Sequence, residues 1–377
     1  MATEYDVAVL GGGVMGCFVA LHLARAGMRV IVLEARDGVC TQASGVNTGH
    51  IAIMDGRTYR VPYAVRSMEL WQQAAAWLGA DVGYRTRGGL KLAFTDEETE
   101  AIASSAQEMR AHGAVLELIG ANTAREREPA LSTKVRAAVW SPADGYANPL
   151  QIADAFTAAL RRERIEVWLG APVHAIESAA PFRIATSRGS VRAQRLLIAT
   201  GVRIGEITHM LDQDLPMVCR VSQVTVTERC RPVIGTAIGS ASDTLSLKQV
   251  DNGTVLIGGG WQGIGSLSEG PREVMPEHVI GNLRLACMAI PKLSRARIVR
   301  TWLGLEARVS DNLPLNGALA GVPDAWVLGA VHTGFALSPA MGELMARVIL
   351  GHSEPVPMFD PGRFSMSRSQ AEAAHAG

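Results

Sequence analysis

Three glycines near the amino terminus, Gly11, Gly13 and Gly16, have the spacing G-x-G-x-x-G. In this pattern the first glycine permits a tight turn, the second lets a phosphate approach the backbone, and the third allows a helix to pack closely on a strand. An acid, Glu34, follows at the distance at which a carboxylate accepts hydrogen bonds from ribose hydroxyls. Together these residues predict binding of a dinucleotide whose adenosine has no 2′-phosphate.

A strand, a helix and a second strand are needed to position these residues. Residues 6–10 form an apolar run typical of a buried parallel strand, residues 14–26 have helical periodicity, and residues 28–33 form a second apolar strand. Because the helix begins at the glycines, its free N–H groups and the positive end of its dipole are available to phosphates. The alternative is a glycine-rich turn in an ordinary α/β unit.

A second unit of strand, glycine loop and helix lies near the carboxyl terminus. Residues 325–329 have the pattern of a buried strand, and Gly334 opens the loop that follows. Residues 339–350 are predicted to form a helix that Gly351 ends. The chain therefore has two glycine-bordered helix starts, one near each end.

The composition is that of a globular chain with two domains. The 377 residues are 48% hydrophobic and 19% charged, which is enough apolar material for a sizeable core. The formal net charge is zero, with 36 basic and 36 acidic residues, which argues against nucleic acid as a partner. No stretch of about 18 uncharged apolar residues occurs, so we expect no integral membrane span.

The cysteines and the first residues predict a cytoplasmic protein. The amino-terminal residues lack the basic and apolar regions of a signal peptide. The five cysteines have no C-x-x-C spacing, which is typical of reduced thiols and predicts no metal site.

The rest of the chain shows a mixture of helical and strand patterns. Helices are predicted over residues 61–78, 96–110 and 273–288 and after Pro149, and strands over residues 137–140, 167–169 and 217–226 and within 244–260. Residues 84–94 resemble a hairpin around Gly88 and Gly89, and residues 182–186 and 191–198 are predicted to pair antiparallel. The pair Asn252-Gly253 is a strong hairpin turn signal.

Further motifs resemble those of one enzyme family. Residues 43–49 carry A-S-x-x-N-x-G, residues 144–149 carry D-G-x-x-x-P, residues 302–305 read W-L-G-L, and residues 332–335 read H-T-G-F. Together with the glycine motif, they resemble the D-amino-acid-oxidase-like FAD-dependent oxidoreductases, which include glycine and sarcosine oxidases. The resemblance extends from residue 5 to about residue 350.

The resemblance implies an α/β fold with two domains. A Rossmann-like (ββα-variant) FAD-binding domain carries an inserted α+β substrate domain, which is built on a mixed or antiparallel sheet. The FAD-binding domain is expected to comprise residues 1–85, 146–215 and 303–377. The substrate-binding domain is expected to comprise residues 86–145 and 216–302.

The resemblance also implies which residues contact FAD. In chain order these are Gly11, Gly13, Val14, Met15, Gly16, Glu34, Ala35, Ala43, Ser44, Asn47, Thr48, Gly49, Val173, Ala199, Thr200, Gly201, Gly304, Gly334, Phe335, Ala336 and Leu337. In the family, the helix near Gly334 points its amino terminus at the flavin C2 carbonyl and stabilises negative charge on the reduced ring.

The function implied by the resemblance is oxidation of an amine C–N bond in an amino acid or N-substituted amino acid. Hydride moves from the α-carbon to flavin N5, and water then hydrolyses the imine. The protein need only bind the amine, orient its C–H bond and stabilise the reduced flavin, so no acid–base dyad is required.

Three positions depart from the family pattern. Glycine-oxidase-like members hold the substrate carboxylate with an Arg where this chain has Glu306. Sarcosine-type members have a Lys in place of Ala336 and attach the flavin to a Cys in place of Gly304. We therefore expect noncovalent FAD, and a substrate that is cationic, or larger than a simple amino acid, or held by another Arg. The candidates for that Arg are Arg60, Arg220 and Arg308, each of which also fits a surface or structural role.

Lys248, His50 and His332 are the candidate catalytic residues. Lys248 lies on the strand expected over the flavin, where a buried amine could promote electron transfer to oxygen or bind substrate; the alternative is an ordinary lysine facing solvent. His50 and His332 flank the cofactor segments, so each either contacts flavin or substrate or is an ordinary half-buried histidine.

The pattern around Trp302 and Gly334 is most similar to the β subunits of multi-subunit opine oxidase, cyanide-forming glycine dehydrogenase and hydroxyproline dehydrogenase. This implies a small amine or amino-acid substrate, with partner subunits or a homo-oligomer, and electron transfer to a partner. FMN at a subunit interface is a further implied cofactor, although residues 144–149, which correspond to the FMN-binding stretch of heterotetrameric sarcosine oxidase, contain no His. The alternative function is a noncatalytic flavin, electron-transfer or assembly subunit.

Overall fold

A computed structural model describes residues 4–54, 57–177 and 179–364. In chain order the strands are β1 (Glu4–Leu10), β2 (Val30–Leu33), β3 (His50–Ile51), β4 (Arg85–Thr86), β5 (Gly89–Ala93), β6 (Glu117–Gly120), β7 (Ala137–Ser141), β8 (Gly145–Tyr146), β9 (Glu166–Trp168), β10 (Val173–Ile176), β11 (Phe182–Thr186), β12 (Gly189–Ile198), β13 (Met217–Arg229), β14 (Ala237–Ser240), β15 (Ser246–Gln249), β16 (Thr254–Gly258), β17 (Ile264–Ser266), β18 (Gly270–Glu273), β19 (Ile298–Val309), β20 (Leu315–Ala318) and β21 (Ala325–Gly329). The α-helices are α1 (Val14–Arg25), α2 (Val61–Leu78), α3 (Asp96–Ala111), α4 (Ala121–Arg127), α5 (Pro149–Arg162), α6 (Ile204–His209), α7 (Pro276–Ala289) and α8 (Gly334–Ile349).

The first sheet is centred on β1, which pairs in parallel with β2 on one side and β12 on the other. Strand β9 extends the sheet beyond β2, while β11 and β10 extend it beyond β12, and β21 also pairs in parallel with β12. Successive residues of β1 point into different cores: Val7 and Val9 pack with α1, α2, α5 and α8, whereas Ala8 and Leu10 pack on the opposite face. Burial on both faces explains the unbroken apolar run in the sequence.

The second sheet has the order β19-β13-β16-β15-β14-β5-β7-β6, and only the β14–β5 pair is parallel among the pairs that the structure describes. One face is apolar and packs on α7 and α4 through residues such as Leu90, Ile238, Leu247 and Val255. The opposite face contributes side chains to a large cavity between the two sheets.

The predicted hairpin over residues 84–94 is wrong. Strand β4 pairs with β8 in a small sheet that also contains β3, whereas β5 pairs with β7 and β14 in the second sheet. Gly88 between them has a φ of +76° and donates its N–H to the Asp144 carbonyl oxygen at 2.9 Å. Residues 85–93 therefore pair antiparallel with residues 137–146, and β4 and β5 do not pair with each other.

Other local predictions are confirmed. Strands β11 and β12 pair antiparallel, and β15 and β16 pair antiparallel around the Asn252-Gly253 turn. The helix predicted over residues 273–288 begins at Pro276, and residues 270–273 form β18 instead. Within the described ranges, no helix has both the length and the apolar character that a membrane crossing requires.

The domain boundaries remain a prediction. The strands of the first sheet fall within the segments expected for the FAD-binding domain. Those of the second sheet fall within the substrate-binding segments, except that β19 (Ile298–Val309) crosses the expected boundary at residues 302–303. Residues 1–3, 55, 56, 178 and 365–377 of the expected FAD-binding domain lie outside the described ranges.

Candidate active site

The cavity between the two sheets has a volume of about 1080 Å³. Its walls are the carboxyl ends of β1, β2, β12 and β21, the exposed face of the second sheet, and the loop between β2 and β3. Pockets for small ligands usually measure ~300–1,000 Å³. The cavity therefore has room for an extended ligand together with a smaller one.

The glycine motif forms one end of the cavity. Gly11 has a φ of +100°, and a Cβ there would lie 2.5 Å from the Ala199 carbonyl oxygen, so only glycine fits the turn. A Cβ on Gly16 would lie 2.1 Å from the Gly11 carbonyl oxygen, which explains its role in packing α1 on β1. Gly13 caps α1 without a side chain and lines the cavity. The backbone of the helix start is thus open to a ligand.

The carboxylate of Glu34 is fixed at the edge of this end by two backbone amides. Gly12 N–H donates to its Oε2 at 2.7 Å, and Arg36 N–H donates to its Oε1 at 2.8 Å. Ser44 Oγ accepts from Val14 N–H at 3.0 Å, which ties the following loop to the first turn of α1. Because each carboxylate oxygen has a second lone pair, Glu34 can still accept a hydrogen bond from a ligand hydroxyl.

The loop from Ala43 to Gly49 is shaped by Asn47. Its Nδ2 donates to the Ala43 carbonyl oxygen at 2.9 Å, and its Oδ1 accepts from Gly49 N–H at 2.6 Å. Gly49 has a φ of +70°, and a Cβ there would lie 2.1 Å from the Ala147 carbonyl oxygen. Trp302 Nε1–H donates to the Val46 carbonyl oxygen at 2.7 Å and joins this loop to β19.

Helix α8 begins at Gly334, five residues before the predicted start at Pro339. Proline favours the first turn because it has no N–H, and inside a helix it leaves the carbonyl four residues earlier without a donor. Here Ser338 Oγ donates to that carbonyl, of Phe335, at 2.8 Å. Trp71 Nε1–H donates to the Ala336 carbonyl oxygen at 2.9 Å. These bonds keep the first turn of α8 helical, with its amino terminus lining the cavity.

The structure brings most of the predicted cofactor residues together. Those that line the cavity are Gly11, Gly13, Val14, Met15, Glu34, Ala35, Ala43, Ser44, Asn47, Thr48, Val173, Ala199, Thr200, Gly201, Gly304, Gly334, Phe335 and Ala336. Gly16, Gly49 and Leu337 are absent from this lining: the two glycines allow close backbone contacts behind it, and Leu337 is buried in the core.

A family model described as FAD-dependent oxidoreductase (DAO) matches residues 6–348. The chain belongs to this family. A subunit of opine oxidase from Rhizobium meliloti is 26% identical over 97% of this chain and all of the relative, and glycine oxidase from Bacillus licheniformis is 26% identical over 93% and 95% of the two chains. The crystal structure of L-proline dehydrogenase from P. horikoshii superposes with a TM-score of 0.88 at 25% identity, covering 97% of this chain and 98% of that one.

The lining residues fit FAD. Thr200 lines the cavity and its buried Oγ1 has no hydrogen-bond partner among the described residues, which suits a polar ligand atom. The amino termini of α1 and α8 both line the cavity, and neither has a capping hydrogen bond from its N-cap side chain. A Cβ on Gly304 would lie 2.3 Å from Val46 Cγ2, so this position leaves no room for the side chain of a flavin-attaching cysteine.

A charged cluster lies at the end of the cavity formed by β19. Glu306 Oε1 lies 2.9 Å from Arg308 Nη2 and 3.6 Å from His332 Nδ1, and its Oε2 accepts from Ser222 Oγ at 3.2 Å. Burial raises the pKa of Glu306, but the nearby His332 and Arg308 outweigh burial and leave that pKa below its ordinary value. Burial lowers the pKa of His332 despite the carboxylate. At neutral pH the cluster therefore contains an ionised Glu306, a charged Arg308 and a neutral His332.

The three arginines considered as carboxylate ligands have different positions. Arg308 is buried and lines the cavity. Arg60 is also buried, but it donates to the His332 carbonyl oxygen at 2.7 Å and to Thr333 Oγ1, so it supports the start of α8. Arg220 is exposed and pairs in register with Glu306 across β13 and β19. Arg308 is therefore the arginine best placed for a ligand in the cavity.

His50 lines the cavity, and its Nδ1 lies 2.9 Å from Ser246 Oγ. Burial, and then the charge of Lys248, lowers the pKa of His50 to about 3, so its imidazole is neutral. Lys248 is fully buried and does not face solvent. Its Nζ lies 4.5 Å from the centre of the Tyr146 ring and has no hydrogen-bond partner in the described ranges. Lys248 lies behind the residues that line the cavity, and burial lowers its pKa well below the ordinary value.

Several charged residues that line the cavity were missed as site residues in the sequence: Arg36, Lys91, Asp144, Arg203, Glu206 and Glu269. Asp144 and Lys91 are the two considered further. Asp144 Oδ1 accepts from Ser141 Oγ at 2.7 Å and from Ile53 N–H at 3.1 Å. Burial raises the pKa of Asp144 to about 7, despite these two hydrogen bonds. The D-G-x-x-x-P motif contains Asp144, and Lys91 is the single charged residue of an otherwise apolar strand, so both signals were present.

We predict that Gly13→Ala gives a folded protein that binds FAD weakly. The φ of Gly13 is −68°, which any residue adopts, and a Cβ would lie no closer than 3.5 Å to another atom, so the fold tolerates it. The added methyl group enters the space for the pyrophosphate, and overpacking typically costs about 1–3 kcal/mol, or at least roughly fivefold in affinity. The measurement is the ratio of flavin to protein absorbance, with near-ultraviolet circular dichroism to check folding.

Gly120→Ala is the matched control for this glycine, because its Cβ would meet nothing within 4 Å and it caps α4 away from the cavity. Equal flavin content in Gly13→Ala and wild type would contradict the phosphate site at Gly13.

We predict that Asp144→Asn flattens the dependence of stability on pH. The pKa of Asp144 is about 7 in the folded protein and ~3.9 when unfolded, so the folded state binds more protons between these values. Wild-type stability should therefore fall as pH rises from about 4 to about 7, by up to about 1.4 kcal/mol per pH unit from this group. Urea unfolding at a series of pH values measures the slope. Exposed Asp154→Asn is the control, and equal slopes in Asp144→Asn and wild type would refute the prediction.

Proposed function

We propose that this chain oxidises an amine C–N bond in an amino acid or an N-substituted amino acid. The observation that carries the proposal is the charged cluster of Glu306, Arg308 and His332 at one end of a cavity whose other end fits FAD. When bound, FAD supplies the ring that accepts a hydride from the carbon next to nitrogen. Relatives named as a glycine oxidase and as a subunit of opine oxidase support this class of substrate.

Arg308 takes the role of carboxylate ligand in this proposal. Glu306 at 2.9 Å orients its guanidinium, and Ser222 in turn holds Glu306. A guanidinium presents several N–H donors in a planar fork, so one edge can bind Glu306 while another binds a carboxylate. This arrangement accounts for the missing arginine at position 306 without requiring a cationic substrate.

The neutral histidines and Lys248 have supporting roles. With a pKa of about 3, His50 is too weak a base to take the proton of a substrate ammonium, and burial weakens His332 as a base in the same direction. Both neutral imidazoles can instead accept a hydrogen bond from the bound amine, which must be neutral to lose hydride. Lys248 is buried close to His50, where burial is the larger cause of the low pKa of His50, and Lys248 in its protonated form lowers that pKa further. We propose that these three residues orient the bound amine and disfavour an added positive charge beside it.

The remaining features are also part of the proposal. FAD is expected to be noncovalent, because glycine occupies position 304. Relatives named as subunits favour a partner subunit as electron acceptor, with FMN at such an interface as a further cofactor; a homo-oligomer is the other arrangement. A cytoplasmic location fits the five free cysteines. The second candidate function, a noncatalytic electron-transfer or assembly subunit, is favoured by the same subunit relatives.

Anaerobic reduction of the FAD-loaded chain distinguishes the two functions. We expect glycine, sarcosine, proline, D-amino acids or opines, tested one by one, to bleach the flavin absorbance of the isolated chain. Failure of every amine to bleach it, both alone and with a partner subunit present, would favour the noncatalytic subunit. Rapid bleaching of the flavin by NADH, with no bleaching by any amine, would contradict the proposal of amine oxidation.

We predict that Arg308→Met raises the apparent substrate KM by about tenfold or more, while the limiting rate of flavin reduction changes less. A hydrogen-bonded ion pair of this kind contributes roughly 1.5–3 kcal/mol to binding. Stopped-flow reduction at varied amine concentration separates the two parameters. Arg300→Met, an exposed change on the same strand, is the control and should leave both unchanged. An unchanged KM in Arg308→Met would show that the carboxylate binds elsewhere.

A further inference from the structure

The cavity extends across the second sheet far beyond the charged cluster. Its floor crosses from β19, which carries Arg308, to β5, which carries Lys91. These strands are five steps apart in the sheet order, and neighbouring strands lie ~4.8 Å apart, so the floor spans roughly 24 Å. A simple amino acid held at Arg308 would not reach the β5 end of the cavity.

Lys91 lies on the cavity side of the sheet. Its neighbours Leu90 and Leu92 belong to the core on the α7 side, and side chains alternate along a strand, so Lys91 points the other way. Lys91 also lines a small gap together with Met54 and with Met109 of α3. No hydrogen bond or ion pair to the Lys91 ammonium is found among the described residues, and burial lowers its pKa. A half-buried ammonium without an acidic partner is available to bind the anion of a ligand.

The surroundings of Lys91 leave room for such a ligand. Gly239 pairs with Lys91 in register on the adjacent strand β14, and a Cβ on Gly239 would meet nothing closer than 3.5 Å. Asp144 lies beside β5, because a Cβ on Gly89, two residues before Lys91, would lie 2.7 Å from Asp144 Cβ. The buried Oδ2 of Asp144 has no hydrogen-bond partner in the described ranges. Because the pKa of Asp144 is raised to about 7, it is substantially protonated at neutral pH and does not repel a nearby anion as an ordinary aspartate would.

We propose that Lys91 binds a carboxylate at the far end of an N-substituted amino acid, in a distal subsite formed by Lys91, Gly239 and Asp144. This proposal rests on the proposed amine oxidation and makes it more specific: the substrates are dicarboxylic amines with an extended substituent on nitrogen. One carboxylate binds at Arg308 and the second at Lys91, with the reacting C–N bond between them.

Binding of unreactive analogues tests the subsite without requiring turnover. Ether diacids, in which oxygen replaces the amine nitrogen, have no C–N bond to oxidise. The FAD-loaded protein is titrated with diacids of increasing chain length and with matched compounds whose distal carboxylate is a carboxamide. The change in the flavin absorption spectrum gives each dissociation constant. At one or more chain lengths we expect the diacid to bind about tenfold more tightly than its carboxamide.

Variants at position 91 test whether Lys91 causes the preference for the diacid over its carboxamide. Lys91→Met should remove it, and Lys91→Arg should retain it because a cation remains. Lys134→Met, at an exposed lysine, is the control and should behave like wild type. Flavin content and near-ultraviolet circular dichroism confirm that the variants fold. Equal binding of diacid and carboxamide by wild type at every length, or a preference that survives in Lys91→Met, would overturn the subsite.

The corresponding amines separate this proposal from the proposed function. If ether diacids show a preference that depends on Lys91 but no amine bleaches the flavin, the subsite stands and amine oxidation fails. If amines bleach the flavin but their diacids and carboxamides bind equally well, amine oxidation stands and the subsite is wrong.

Discussion

The close packing of α1 against α8 determines where the cofactor end of the cavity lies. A Cβ on Gly342 of α8 would lie 2.6 Å from the Phe18 Cβ of α1. The two helices can therefore pack this closely only because residue 342 has no side chain. Near their amino termini, a Cβ on Gly334 would lie 3.1 Å from Met15 Cε. Two helix starts from opposite ends of the chain are thereby held side by side at one cavity. A larger residue at position 342 would push them apart and separate the two halves of the cofactor site.

This arrangement concentrates positive potential in a chain with no net charge. The amino end of an α-helix carries the equivalent of about half a positive charge, and two such ends face the cavity. Arg308 adds a full charge, which Glu306 partly offsets at 2.9 Å. The two helix ends and Arg308 therefore favour anionic groups at their own places in the cavity, such as a pyrophosphate, a reduced flavin and a carboxylate, although other parts of the lining carry the acids Glu34, Glu206 and Glu269. Basic and acidic residues of the whole chain balance at 36 each. The overall charge argues against nucleic acid as a partner but gives no information about this local field.

The parts of the site that depend on short-range sequence were predictable, and those that depend on distant residues were not. The glycine motif and Glu34 act within one strand–helix–strand unit, so their spacing is sufficient to place them. For Lys248, the alternation of side chains along a strand leaves two possible faces and does not show which one is buried. The burial of Lys248 depends on the packing of the second sheet, which involves distant parts of the chain. The hairpin error has a similar cause, because β7 and β8, which lie far along the chain, compete successfully for β4 and β5. The raised pKa of Asp144 is caused by its burial, which depends on the folded packing around it and cannot be predicted from a local sequence pattern.

The exchange of an arginine for Glu306 changes where a substrate can be held. Residues 306 and 308 lie on the same side of β19, and two residues of a strand span ~6.8 Å. If Arg308 holds the carboxylate, the anchor is displaced along β19 by about that distance from its place in glycine-oxidase-like members. A small amino acid anchored there would move relative to the flavin by more than a C–N bond length, and hydride transfer is sensitive to such a shift. A longer substrate can compensate, because its second end can be held independently. The displaced anchor and the long sheet floor therefore both support the proposal that the substrate is an extended N-substituted amino acid.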